Sequence, residues 1–285
     1  MSLYHPGITT ISIADVSADE VVVADDEVSV EEPLEIVVNL TNGGQSVRRS
    51  LAVTMRTPGA DIELAAGFLL TEGVVRDRGD VIDVRIEHDG RVCITIAPEA
   101  EIDFDRLERH SYVSSSCGVC GKRSIAAVFA IRRYDSRLGV PHIHSEIIHG
   151  LGATQRAAQP SFARTGGLHA AALFDAEGQL LSLREDVGRH NALDKLIGAE
   201  FLAGRLPLDE RILFLSGRAS FELIQKAALA GIPFVAAVGA PSSLAVSLAR
   251  QCSMTLLGFV RDGRFNVYAD DGRLAETPTG LFTIP

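Results

Sequence analysis

Residues 211–260 read RILFLSGRAS FELIQKAALA GIPFVAAVGA PSSLAVSLAR QCSMTLLGFV. Arg211 to Leu215 has the length and apolarity of a short buried strand, and Phe221 to Ala230 has helical spacing closed by Gly231. Phe234 to Val238 is a second buried strand, Ser243 to Arg250 a second helix, and Met254 to Val260 a third strand. This β-α-β-α-β order predicts a partly parallel sheet covered by helices, whose crossovers should be right-handed. The uncharged run from Ala227 to Ala249 is long enough to span a bilayer, but Gly231, Pro233, Gly239 and Pro241 punctuate it into separate elements.

Beyond the run, Asp262-Gly263 turns a final hairpin. Before it, Gly167 to Phe174 and Gln179 to Arg184 form a hairpin, and Val187 to Leu202 has helical spacing. Nearer the N-terminus the punctuation differs. Glu35 to Leu40 and Arg49 to Met55 flank Asn42-Gly43-Gly44, a helix from Asp61 to Leu70 is stopped by Gly73, and strands over 81–87 and 91–96 flank Asp89-Gly90. Residues 1–110 therefore read as a small α+β domain, with a loose arm or edge strand over the first thirty residues, and 111–285 as a second, α/β domain.

The hydrophobic, charged and aromatic fractions of 46%, 22% and 6% over 285 residues are those of an ordinary globular chain. A formal charge of −10 argues against nucleic acid or an anionic membrane as partner, while leaving room for a local anion site. The opening residues lack the basic and apolar regions of a signal peptide, so a cytoplasmic protein is expected. Of four cysteines, Cys93 and Cys252 lie in apolar runs and should be buried.

Cys117 and Cys120 concentrate the nucleophilic chemistry, in Ser114-Ser115-Ser116-Cys117-Gly118-Val119-Cys120-Gly121-Lys122-Arg123. A helix-like run follows, so a helix N-terminus and two cations would favour the thiolate. Several readings fit such a pair: half of a zinc site, a thioredoxin-like redox couple, a thiol that carries sulfur, or two unreactive cysteines in a turn. Zinc would draw on His142, His144 or His149, where His144-Ser145-Glu146 has a deaminase-like spacing on the wrong side of the cysteines, or on His169, which lacks a glutamate two residues on. Anion-binding candidates lie further along. Ser216-Gly217-Arg218 and Gly239-Ala240-Pro241 each end a strand before a helix, and Arg184 to Lys195 packs Arg189, His190, Asp194 and Lys195 into one polar stretch.

Four motifs together carry a resemblance: Ser116 to Gly121, Thr165 to Leu173, Glu185 to Lys195, and Ser216-Gly217-Arg218. In this order they resemble the FdhD/NarQ family. The resemblance implies an α/β fold, a cytidine-deaminase-like three-layer domain with a smaller N-terminal α+β domain. It implies a cytoplasmic homodimeric sulfurtransferase that takes sulfur from a cysteine desulfurase to the molybdenum (or tungsten) bis(molybdopterin guanine dinucleotide) cofactor of formate dehydrogenase. Cys117 would carry the persulfide, with Cys120 as its neighbour. Phe259, Val260, Arg261, Asp262, Gly263 and Arg264 would bind the guanine dinucleotide, joined by Ser216, Gly217, Arg218, Arg189, Lys195 and His169, with no structural metal. The alternative is a chaperone that binds the cofactor without carrying sulfur.

Overall fold

The computed structural model describes residues 7–42, 45–87, 90–100, 134, 139–261 and 263–275. The β-α-β-α-β run forms as its punctuation requires: β9 (Ile212–Leu215), α5 (Phe221–Leu229), β10 (Phe234–Ala237), α6 (Ser243–Gln251) and β11 (Thr255–Arg261). Strands β9, β10 and β11 are parallel. The hairpin β7 (His169–Phe174) and β8 (Leu180–Asp186) and the return strand β12 (Arg264–Ala269) join them antiparallel, giving a six-stranded sheet in the order β12-β11-β10-β9-β7-β8.

Strand alternation sends successive side chains to opposite faces, and helices cover both. Ile212, Phe214, Phe234 and Leu257 pack with Ile148 and Leu151 of α2 (Ser145–Ala157). Leu213, Leu215, Val235 and Leu256 pack on the other side with residues of α4 (Arg189–Leu202), α5 and α6, such as Leu193, Ile224 and Leu248.

The N-terminal region forms a four-stranded sheet in the order β4-β3-β6-β5, from β3 (Glu32–Asn42), β4 (Gln45–Arg56), β5 (Val81–Glu87) and β6 (Arg91–Ile96). Its helix α1 (Asp61–Thr71) lies against α4. The crossing is so close that a Cβ on Gly67 would stand 1.9 Å from the Asp194 carbonyl oxygen. Through this crossing, Leu34, Ile36 and Leu64 share one core with Leu193 and Leu213. The expected domain boundary near residue 110 lies outside the described residues.

Residues 8–29 build a two-stranded antiparallel ribbon, β1 (Ile8–Val16) and β2 (Val21–Ser29), separate from both larger sheets. It is pinned to the short helix α3 (Pro160–Thr165) by the Glu27–Arg164 ion pair and by a 2.8 Å hydrogen bond between the Ser29 and Thr165 hydroxyls. Among the described residues, no helix is long and apolar enough to cross a membrane.

Candidate functional site

Three loops of the β-α-β-α-β run stack at the carboxyl edge of the parallel strands. After β9, the Ser216 N–H donates to the Ala170 carbonyl at 3.0 Å, while Ser216 Oγ accepts from the Ala170 N–H at 2.8 Å. This pair of hydrogen bonds ties the start of β7 to the end of β9, and it sets the His169 ring against Gly217, where a Cβ would meet the imidazole at 3.3 Å. The turn after β10 lies on the first. Gly239 N–H donates to the Gly217 carbonyl at 2.9 Å, and Ser242 N–H to the Ala219 carbonyl at 3.1 Å.

The third loop is a bulge in β11, where the register with β12 slips between Gly258 and Arg261. Phe259 takes a positive φ of 54° there, and its N–H donates to the Gly239 carbonyl at 3.2 Å. Glycine at 239 and 258 is demanded by the stacking: a Cβ would come within 3.0 Å of Arg218 in the first case and 2.9 Å of Pro241 in the second. Ser216-Gly217-Arg218 and the Phe259–Arg264 segment are thereby brought to one edge. Arg218, Arg261 and Arg264 are exposed there, Val260 is buried, and Asp262 lies outside the described residues.

The N-terminus of α4 completes the edge. Asp186 fixes it, accepting from the Gly188 N–H at 2.8 Å and from Asn191 Nδ2 at 3.2 Å through one oxygen, and from the Thr57 N–H at 3.2 Å through the other. Arg189, the first residue of the helix, has a buried Nε with no hydrogen-bond partner among the described residues. Burial, and secondarily the Arg189 charge, hold the His169 pKa below its ordinary value against the opposing pull of Asp186. Burial also lowers His190 to about 4, with smaller contributions from Lys226 and Arg189, and its Nε2 lies 3.4 Å from Ser220 Oγ. Both imidazoles are neutral at physiological pH.

Lys195 does not join this group. It is 2% exposed, its ammonium lies 2.7 Å from Asp186, and it donates to the Thr57 carbonyl at 2.8 Å. The structure gives it the part of anchoring Asp186, and through Asp186 the α4 N-terminus, in place of the expected phosphate contact. His144 stands at the N-cap position of α2, with Ser145 and Glu146 in its first turn, and the His149 ring centroid lies 5.4 Å from that of Phe265. Among the described residues, no three His, Cys, Asp or Glu side chains converge as metal ligands would.

Cys117 and Cys120 lie outside the described residues. The other two cysteines, Cys93 and Cys252, are each 5% exposed, and burial pushes the Cys93 thiol pKa up. A cavity of about 280 Å³ opens beside His169 and Ser216, walled by Arg156, Gln159, Phe162 and Leu168. Sequence reasoning misses the first three of these walls, and Leu168 enters it only as part of the Thr165–Leu173 motif.

Comparison with known proteins places the chain. Residues 29–275 match the FdhD/NarQ family. The chain belongs to that family. The sulfur carrier protein FdhD of Mycobacterium tuberculosis is 46% identical over 270 residues, covering 90% of this chain and 95% of that one. Its Streptomyces avermitilis counterpart is 48% identical over 260 residues, covering 88% and 89%. A solved structure of a candidate formate dehydrogenase accessory protein from Desulfotalea psychrophila superposes with a TM-score of 0.74 at 22% identity, covering 94% of this chain and all of that one. That likeness shows the fold. Within the family match lie all four motifs and the three stacked loops, whereas the β1–β2 ribbon precedes it almost entirely.

Proposed function

We propose that this protein is a sulfur carrier, which takes sulfur from a cysteine desulfurase as a persulfide on Cys117 and presents it to a guanine-dinucleotide molybdenum cofactor bound as cargo at the loop edge. The observation that carries the reading is the convergence of Ser216-Gly217-Arg218, Gly239 to Ser242 and the Phe259–Arg264 segment on one edge. Stacked strand ends beside helix N-termini and the exposed Arg218, Arg261 and Arg264 support an anion-binding surface in a protein of net charge −10. The names of the curated relatives support sulfur carriage.

In the first step the Cys117 thiolate attacks the outer sulfur of the donor's persulfide. The donor S–S bond breaks, the donor cysteine leaves as thiolate, and the sulfur is now bonded to Cys117. Burial of Cys93 and Cys252 argues against either of them as the carrier, and Cys120 is given a supporting role. The cofactor's phosphates would lie against Arg218, Arg189 and Arg261. Service to formate dehydrogenase, a cytoplasmic setting, a homodimer and a cytidine-deaminase-like lineage of the six-stranded domain belong to the same proposal.

Two experiments test it. Cys117→Ala should fail to restore formate dehydrogenase activity to a strain lacking the native protein, with a milder defect for Cys120→Ala; full restoration by the first variant overturns the carrier role. Calorimetry should show GDP binding that weakens in Arg218→Ala and Arg261→Ala, and unchanged affinity in both removes the cargo site from this edge.

A further inference from the structure

We propose that the β1–β2 ribbon is a docking arm for the protein that receives the cargo: its acidic, valine-bearing surface engages a basic rim around the receiving enzyme's empty cofactor cleft. This deepens the partner part of the reading above and rests on it.

Charge is strongly segregated along this chain. Residues 1–47 hold nine of its 37 acidic residues and none of its 27 lysines and arginines, so the rest of the chain carries a net charge of only −1. Glu27 and Glu32 are held by Arg164 and Arg56. Asp15, Asp19, Glu20, Asp25 and Asp26 are exposed on the ribbon and form no ion pair among the described residues. The ribbon is apolar as well as acidic. Its register sets Val16 opposite Val21 and Ala14 opposite Val23, which places Val16, Val21 and Val23 on one face at the turn end, 68%, 67% and 78% exposed. A two-stranded ribbon is marginally stable in water by itself, and exposed apolar surface rimmed by charge marks an interaction site.

The base of the ribbon sets this surface beside the loop edge. The Ser29 hydroxyl is hydrogen-bonded to that of Thr165, and a Cβ on Gly167 would come within 3.2 Å of Ser29 Oγ. Gly166 and Gly167 in turn line the cavity beside His169 and Ser216. A partner held on the ribbon therefore comes to the edge where cargo is presented. The charge selects the partner. Ribbon against ribbon in a second copy would set five unpaired acids against five more, and like charges face to face are destabilising. An enzyme awaiting a phosphate-rich dinucleotide cofactor needs cations around its cleft, and these stay uncompensated until the cofactor arrives. The acidic ribbon complements that rim before transfer and loses its counter-charge afterwards, which ties docking to the apo state. The acids speed encounter and choose the partner, while the valines supply apolar contact.

Surface plasmon resonance of the full chain on immobilised formate dehydrogenase, prepared without and with its cofactor, tests this. Wild type should bind the apo form about tenfold or more tightly than the holo form, with an association rate that falls as salt is raised. Neutralising the ribbon by Asp15→Asn, Asp19→Asn, Glu20→Gln, Asp25→Asn and Asp26→Asn together should weaken apo binding about tenfold or more and flatten the salt dependence. Val16→Thr, Val21→Thr and Val23→Thr together keep β-branched residues in the strands, and should speed dissociation while leaving the salt dependence intact. Both variants should bind GDP and take up sulfur on Cys117 as wild type does, since the ribbon is separate from both larger sheets. Apo affinity unchanged in either variant overturns the docking arm and leaves the sulfur-carrier reading standing, as does equal binding of apo and holo enzyme by wild type. A change from dimer to monomer in sedimentation of the valine variant assigns the ribbon to a second copy and also overturns the proposal. Wild type that neither binds GDP nor takes up sulfur overturns the carrier reading itself.

Discussion

Replacing Gly198 by alanine should destabilise the protein by roughly 2–4 kcal/mol, because it forces apart the helix crossing through which the two sheets share a core. A Cβ at this position would lie 1.8 Å from the Glu63 carbonyl oxygen and 2.7 Å from the Gly67 nitrogen. Both obstacles are backbone of α1, so no side-chain rotation relieves them. Restoring van der Waals distance needs the helices to separate by about 1.5 Å, and a gap of about 0.5–1 Å already forfeits a quarter to a half of the dispersion energy between the facing surfaces. Alanine's helix propensity returns about 1 kcal/mol, which the lost packing outweighs.

Gly150 provides the internal control. It lies in α2, is exposed, and a methyl group added there would have no neighbour within 4 Å, so Gly150→Ala should stabilise by about 0.5–1 kcal/mol. Urea unfolding followed by circular dichroism measures both variants against wild type. Gly67→Ala should match Gly198→Ala, and the double variant should cost less than the two together, since the first separation makes room for the second methyl. A Gly198→Ala protein as stable as wild type would refute the close-crossing argument.

His190 should make stability fall on the acid side. Its folded pKa is lowered to about 4 from an ordinary 6.5, so the unfolded chain binds the proton more readily and stability is lost as pH drops from 6.5 towards 4. Between neutral pH and about pH 4.5 this one group should account for up to about 2.5 kcal/mol, read as the difference in acid sensitivity between wild type and His190→Gln; equal sensitivity contradicts it. Thiol titration of the native protein should find Cys93 and Cys252 unreactive until denaturant is added, given their 5% exposure, and rapid native labelling of either would show that the core opens there.

The core of the fold is legible in the sequence because glycine and proline punctuate short apolar runs. From Ile212 to Arg261, Gly217, Gly231, Pro233, Gly239, Pro241 and Gly263 mark most of the element ends, while the junction of α6 and β11 at Cys252–Met254 has neither residue, and the hairpins over 35–55 and 81–96 follow the same logic. Helix α2 is less visible: only Ile148, Leu151 and Gln155 are buried, a narrow stripe, and Gly150 and Gly152 weaken its helical signal. The polar members of α4 show why site residues are harder to read than elements. Lys195 looks like a ligand cation beside Arg189, but α4 is covered by α1 on one side and by the sheet on the other, so the partners of Lys195 are Asp186 and Thr57, the latter 138 residues away.

The most direct test is mass spectrometry of the protein after incubation with a cysteine desulfurase and cysteine. The sulfur-carrier reading requires the addition of one sulfur atom on the Cys117 peptide, removable by a thiol reductant and absent in Cys117→Ala. An unmodified Cys117, or sulfur found on Cys93 or Cys252 instead, would contradict it.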